Sequence, residues 1–266
     1  MQDKDFTITH VGGVELIQPM PFRYIPAEGK TFMFQADDGS NLGTEREGIP
    51  IIFENNFWMC AYQTTQEFWA TVIDASDSNE LNANPSFFKG KTRPVEQVSW
   101  DDIQIFNKEL NFLFKNEGLS VKDRPQIVGQ FALPSETQWE YAANANQSLV
   151  FAGSQNLNDV AWYVENSNEQ TMPVGLKQPN AWGLYDMSGN LWEWCADDYE
   201  NDIRKIPKNG QPNLNYYHYK VLRGGSCFNL AEICRLRLRI RHHPDGRNFN
   251  DGGFRLVFSL SSAYES

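Results

Sequence analysis

The sequence lacks any run of about 18 apolar residues, so no segment is long enough to cross a membrane as a helix. It also lacks a signal peptide, because the N-terminal stretch MQDKDFTITH carries acidic residues where a leader has a basic start followed by an apolar core. Both absences predict a soluble protein, cytoplasmic by default, without a membrane span.

Cysteine and basic residues are both scarce. The four cysteines (Cys60, Cys195, Cys227 and Cys234) show neither the CxxC spacing of a zinc ribbon nor the density of a disulfide scaffold, so we expect reduced, buried thiols. Lysine and arginine total 23 against 34 aspartates and glutamates, a formal net charge of −11. That balance excludes general nucleic-acid binding, which requires a basic surface, and leaves only a local basic patch over residues 235–247.

Aromatic residues, by contrast, are plentiful at 14%, while Gly, Asn and Pro interrupt the chain at short intervals. This composition predicts a loop-rich α+β protein, and without a linker or internal repeat we expect a single domain over residues 1–266. Helices are predicted from near Thr64 or Thr65, after Ser99, and after Ser135, where Gln138 completes a capping-box spacing. Strands are predicted in FTITHV, FRYIPA, NFWMCAY, KVLRGGS and GFRLVFS, and residues 201–216 are predicted to form an exposed loop.

The stretch DMSGNLWEW combines two large rings with one carboxylate. In an extended segment, Trp192 and Trp194 point to one side and Glu193 to the other. The rings are therefore expected in the core, and Glu193 is expected to help form a cage of oxygens beside a loop.

Six segments occur in the order NFWMCAYQTTQEFWATVI, PVEQVSWDDIQIFNKEL, LPSETQWEYAANA, PNAWGLYDMSGNLWEWCAD, VLRGGS and GFRLV. Together they resemble the formylglycine-generating enzyme (sulfatase-modifying factor) family over about residues 20–260, which implies an elaborated C-type-lectin-like fold. The resemblance also implies a structural Ca²⁺ bound by Asp186, Glu193 and the backbone carbonyls of Gly189 and Leu191, since Ca²⁺ takes six or more oxygens. A second Ca²⁺ site of the family is not expected, because Val160 stands where an Asn ligand is required.

The resemblance further implies where a catalytic metal would bind. Members that oxidise cysteine hold copper with two thiolates, three and eight residues after the Ser of GGS, and these positions are Asn229 and Cys234 here. Copper(I) selects soft sulfur ligands, so one ligand is missing and no copper is expected. Iron-dependent relatives require three histidines in an arrangement that His10, His218, His242 and His243 do not resemble. We therefore predict that the protein is not an enzyme and has no catalytic residues.

Residues 224–257 resemble more narrowly the variable proteins of diversity-generating retroelements, in which a reverse transcriptase mutates the adenines of Asn codons. Their pattern is GGSWNNNxxNCRxxNRNNNNPDNRNNNxGFR, and its framework is present here, although Cys227 replaces the Trp and one extra residue precedes Gly253. Adenine changes in an AAC codon can encode every residue found at the varying positions, where Lys, Glu, Gln, Met and Trp are absent. The candidate ligand-binding residues are Cys227, Phe228, Asn229, Leu230, Ile233, Leu236, Leu238, Ile240, Arg241, His242, His243, Gly246, Asn248, Phe249, Asn250 and Asp251.

Two arguments disagree about Leu236, Leu238 and Ile240. Simple strand alternation predicts that these side chains face the core. The overlay on the variable proteins instead buries Arg239 as a framework residue and exposes the three apolar side chains as part of a binding patch. We take the overlay as the expectation to be tested.

The sequence thus predicts a ligand-binding variable protein that displays diversified residues on a C-type-lectin-like scaffold. Its partner is expected to be an unknown protein or another macromolecule. The alternatives are a metal-dependent oxidase of the formylglycine-generating type and a noncatalytic module of a larger complex.

Overall fold

Strands and helices both occur in the computed structural model, which describes residues 4–37, 47–76, 79–215, 218–247 and 249–260. The strands are β1 (Phe6–Val11), β2 (Val14–Ile25), β3 (Thr31–Phe34), β4 (Ile49–Ile52), β5 (Phe57–Cys60), β6 (Leu119–Lys122), β7 (Gly129–Ala132), β8 (Trp192–Asp198), β9 (Lys220–Arg223), β10 (Arg239–His242), β11 (Gly252–Gly253) and β12 (Val257–Leu260). The helices are α1 (Gln66–Ala75), α2 (Trp100–Lys115), α3 (Glu136–Asn144) and α4 (Leu157–Val160). The predicted α+β class is confirmed.

The strands form three sheets. Six antiparallel strands make the largest, in the order β6-β1-β2-β5-β12-β7, and β3 pairs with β4 in a separate hairpin. The third sheet has the order β10-β9-β8-β11, with β11 parallel to β8. Because β9 leads into the C-terminal segment that the sequence singled out, and β10 and β11 lie within that segment, the third sheet holds it at three places.

Serine caps begin two of the helices at the predicted places. The Ser99 hydroxyl accepts the Asp102 N–H at 3.0 Å while the Asp102 carboxylate accepts the Ser99 N–H at 3.0 Å, a reciprocal capping box. Ser135 and Gln138 make the same pair of bonds at 3.1 and 2.9 Å. Thr65 caps α1, so all three predicted helix starts are confirmed.

Two apolar clusters form the core. One lies between the six-stranded sheet and α1 and α2, and it includes Ile103, Phe106 and Leu110 of α2. The other surrounds Trp139 and Ala142 of α3. Trp192 and Trp194 both enter the first cluster. The alternation predicted for WEW is therefore confirmed, because Glu193 points the other way, toward Trp139.

Three sequence expectations differ from the structure. Residues 201–215 are not a fully exposed loop, because Ile203 and Ile206 are buried in the second cluster and Ile203 begins a 3₁₀ turn. GFRLVFS is not one strand, since pairing stops between β11 and β12. The short strands β3, β4, β6 and β7 were not predicted, because four residues are too few for a periodic pattern to stand out. In the described part of the chain, no helix is long and apolar enough to cross a membrane.

Candidate binding face and the Gln63 cage

The C-terminal segment leaves β9 through two glycines. Gly224 and Gly225 have φ values of +97° and +74°, a region that residues with a side chain rarely adopt, and a Cβ at Gly225 would lie 2.8 Å from Cys234 Sγ. This turn places Ser226 where its hydroxyl donates to the Asp251 carboxylate. The two ends of the segment are thus fixed to each other across the loop that separates them.

Arg239 anchors the segment to α3. Its side chain is only 2% exposed, with one terminal nitrogen 2.6 Å from Glu136 Oε2 and the other 2.6 Å from the Glu200 carbonyl oxygen. Arg223 of β9 completes the cluster with bonds of 2.7 Å to both Glu136 and Glu140. Burial of Arg239 was expected from the overlay, and it is confirmed.

Two other framework arginines form ion pairs as well. Arg247 makes a bidentate pair with Asp102 at the start of α2, with bonds of 2.6 and 2.5 Å. Arg255 makes a bidentate pair with Glu193, with both bonds at 2.7 Å. The framework positions therefore connect the segment to α2, α3 and β8, which explains why they hold arginine at fixed places.

Most of the varying positions lie on the surface. Phe228, Leu230, Arg241, His242 and His243 are exposed, and Asn229, Ile233, Ile240, Gly246, Phe249, Asn250 and Asp251 are partly exposed. Asn248 lies outside the described residues. The described residues in these two sets are called the C-terminal face below.

Three candidates are not on that face. Leu236 is 2% exposed, Leu238 is 3% exposed and Cys227 is fully buried, so the expected exposure of the two leucines is wrong. The cause is local, because β10 begins only at Arg239 and residues 235–238 form a turn beside Asp37, where strand alternation does not apply. The chain can therefore bury Leu238 and the adjacent Arg239 together.

Tyrosines outside the segment support its exposed cations. The Arg241 guanidinium lies 5.3 Å from the Tyr199 ring centre and 5.0 Å from the Tyr219 ring centre, and Arg239 lies beneath Tyr199 at 4.1 Å. Tyr219 also meets His243 edge to face at 6.0 Å. These rings hold the exposed Arg241 guanidinium by cation–π contacts rather than by an ion pair with a carboxylate of the described residues.

The other half of the face is aromatic. Phe249 packs on His242 with ring centres 4.7 Å apart, and the Gln97 amide donates to the Asn250 side chain at 2.6 Å. Farther along, Phe228 approaches Phe88 at 6.1 Å, beside the 62% exposed Phe87. Sequence reasoning missed Phe87, Phe88, Tyr199 and Tyr219, although an FF pair in a polar loop is a signal that could have directed attention there.

Two acids lie at the base of the face. Burial raises the pKa of Glu96, whose Oε1 accepts the Phe88 N–H at 2.8 Å, and burial also raises the pKa of Asp251. Glu96 is fully buried, and its Oε2 has no hydrogen-bond partner among the described residues. These acids stabilise the loops that carry Phe88 and Ser226.

Asn229 and Cys234, the two positions where copper ligands of the family would fall, do not fit copper. Asn229 uses its side-chain oxygen to accept the Ser226 N–H at 2.9 Å. Cys234 is fully buried, and burial raises the pKa of its thiol to about 12, which disfavours the thiolate that a metal requires. Within the described ranges, no three His, Cys, Asp or Glu side chains are grouped so that they could hold a metal ion.

The residues expected to bind calcium do come together, around Gln63. Gln63 Nε2 lies 3.0 Å from Glu193 Oε1, 3.1 Å from the Leu191 carbonyl oxygen, 3.3 Å from that of Asp186 and 3.5 Å from that of Gly189. These five residues are called the Gln63 cage. The Gln63 amide nitrogen thus lies where the resemblance implies a Ca²⁺ ion.

The Glu193 carboxylate has no capacity left for a cation. It accepts two bonds from Arg255, one from Gln63 and one of 2.7 Å from Trp139 Nε1, which occupies its four lone-pair positions. The Asp186 carboxylate, whose pKa burial raises to about 6, accepts the Gly175 N–H at 2.8 Å. This arrangement does not fit the Ca²⁺ that the resemblance implies.

The fold and these buried ion pairs define a member of one domain family. The chain matches the sulfatase-modifying factor enzyme 1-like domain over residues 29–260 and belongs to that family. It is 31% identical to the chaperone protein LppX of Paenibacillus barcinonensis over 67% of this chain and 73% of LppX. It is also 31% identical to the formylglycine-generating enzyme of Thermomonospora curvata over 72% of this chain and 64% of the enzyme.

A solved structure with the same fold is Treponema denticola variable protein 1. The two share 26% identity with a TM-score of 0.76, over 95% of this chain and 98% of that one. The C-type-lectin-like fold expected from the resemblance is confirmed. The family includes enzymes. This chain spans only 64% of the length of the Thermomonospora enzyme and 20% of the length of the serine/threonine-protein kinase Pkn1 of Chlamydia trachomatis.

Proposed function

We propose that the protein is a ligand-binding variable protein of a diversity-generating retroelement, and that it binds a protein or another macromolecule through the C-terminal face. The observation that carries this proposal is a difference in exposure between framework positions and varying positions of segment 224–257. Arg239 and Arg255 of the framework are buried in ion pairs, whereas Arg241, His242 and His243 are exposed on one side. Likeness to the Treponema variable protein over nearly the whole chain supports the same assignment.

The chemistry of the face suits recognition of a macromolecule. Trp, Tyr and Arg are enriched among the few residues that supply most of the binding energy at protein interfaces. Arg241, held by Tyr199 and Tyr219, provides such an anchor, which is exposed and cationic. The aromatic set around Phe228 provides a second anchor that is apolar. A rigid framework beneath both anchors limits the entropy lost on binding.

Sequencing the 3′ end of the gene and its neighbourhood in many cells of one population tests the proposal. We expect substitutions in the codons for Phe228–Leu230 and Ile240–His243 at the nucleotides where the near-copy of the segment has adenine, and an unchanged framework at Gly224, Arg239 and Arg255. A reverse transcriptase gene and a near-copy of the segment should lie nearby, and codons upstream of Gly224 serve as the internal control. Substitutions spread equally over face and framework would contradict the proposal.

A binding protein of this kind should not oxidise cysteine. We expect no copper-dependent oxygen uptake with cysteine-containing peptides, because Asn229 replaces one thiolate and Cys234 is a buried, neutral thiol. Oxygen consumption by the purified full chain loaded with Cu(I) is the measurement, with the Thermomonospora enzyme as the positive control. Turnover with one Cu(I) bound at Cys234 would refute this prediction.

A further inference from the structure

The distances from the central atom of the Gln63 cage to the surrounding oxygens fit a hydrogen-bonded nitrogen. Calcium binds oxygens at about 2.3–2.6 Å, whereas the four cage oxygens stand 3.0–3.5 Å from Nε2. The two shortest contacts, to Glu193 and Leu191, are normal N–H···O distances and account for both protons of the amide. The Gln63 side chain is fully buried, so no water competes for these bonds.

The charge of Glu193 in the cage is also balanced without a metal. Glu193 is neutralised by Arg255, whose five N–H groups donate to Glu193 and to the carbonyl oxygens of Cys60, Ala61 and Tyr185. A divalent cation would have to displace the Gln63 amide and remain beside the guanidinium. If the Gln63 amide were turned over, Oε1 would face the four cage oxygens. Only a bound cation could make this contact between oxygens favourable.

We propose that the Gln63 amide takes the place of the cation, so that this region of the fold holds its shape without calcium. Hydrogen bonds from the amide hold the Glu193 carboxylate and the Leu191 carbonyl group, and the carbonyl oxygens of Asp186 and Gly189 lie around the same nitrogen. Nothing in this arrangement depends on the ligand of the C-terminal face, so the proposal stands or falls separately from the proposed function.

The cage supports the segment that carries the C-terminal face. The Gly189 N–H donates to the Gly224 carbonyl oxygen at 2.8 Å, and the Cys227 N–H donates to that of Asn190 at 3.0 Å. The Trp192 N–H donates to the Asp251 carbonyl oxygen at 2.8 Å. A cage that needs no calcium therefore gives a binding face whose shape is the same with and without the ion.

The first test compares the full-length chain, stripped with EDTA, in EDTA and in millimolar calcium. We expect the same melting temperature in both and no stoichiometric calcium in a calorimetric titration. A melting temperature that rises with calcium, together with one calcium bound per chain, would overturn the proposal, because the cage would then hold the ion with the amide turned over.

A gain of calcium dependence provides the second test. Gln63→Glu replaces the two amide N–H donors with a second carboxylate beside Glu193, so we expect a lower melting temperature in EDTA and a rise of several degrees on adding calcium. Gln63→Met is the matched control: it removes the donors without adding charge, and calcium should not restore it. A Gln63→Glu chain that folds but shows no calcium response would also count against the proposal. If that variant does not fold, the measurement on the unmodified chain decides.

Discussion

Arg239→Ala is expected to lower the free energy of unfolding by about 3–5 kcal/mol, and Arg241→Ala by about 1 kcal/mol or less. The two arginines are close in sequence and contact the same tyrosine, but their surroundings differ. Arg239 is buried against Glu136 and the Glu200 carbonyl oxygen, so its removal takes two charge-assisted hydrogen bonds away from buried acceptors. Arg241 is exposed and loses only its contacts with Tyr199 and Tyr219.

Chemical denaturation of the two single variants measures this difference, and the matched pair removes any general effect of losing an arginine from β10. Arg239→Lys extends the comparison, because a lysine keeps the charge but cannot bond to Glu136 and the Glu200 carbonyl oxygen with the same fork of donors. We expect that variant to be intermediate. Equal denaturation midpoints for Arg239→Ala and Arg241→Ala would show that the framework arginine does not anchor the segment.

Local signals were enough to predict much of the fold. The capping boxes at Ser99 and Ser135 involve bonds between residues three apart, so the sequence alone contains both partners. The alternation in WEW likewise places Trp192 and Trp194 in the core without reference to any distant residue. Family resemblance then supplied the C-type-lectin-like fold, which no local pattern specifies.

Features that depend on distant residues could not be predicted in this way. Leu238 is buried because Asp37, 201 positions earlier in the chain, holds the turn before β10, and nothing near Leu238 indicates that turn. Gln63 lies in the cage because it stands just before α1, and the start of α1 is next to the loop that leads into β8. The residues beside Gln63 in the sequence do not indicate this contact. The four predicted calcium ligands were correctly grouped, but the group at their centre comes from another part of the chain.

Leu236→Ala and Leu238→Ala together are expected to abolish folding. Each truncation removes a buried side chain from a packed cluster and should cost about 2–5 kcal/mol. The two leucines belong to different clusters, Leu236 with Trp139 and Leu238 with Trp194, so their costs should add. A combined loss of about 4–10 kcal/mol is comparable to the whole stability of a typical domain, about 5–15 kcal/mol.

The matched control is the double variant Phe228→Ala with Leu230→Ala, which removes two apolar side chains of the same segment that are 36% and 53% exposed. Because little packed volume is lost there, we expect this variant to fold with a stability within about 1–2 kcal/mol of the unmodified chain. Circular dichroism and urea titration of both double variants give the comparison. If the Leu236 and Leu238 variant folds normally while the Phe228 and Leu230 variant does not, the apolar side chains of the C-terminal face belong to the core and cannot be free to bind a partner. The opposite result leaves Phe228 and Leu230 as side chains that can change without cost to the scaffold, which is what a diversified binding face requires.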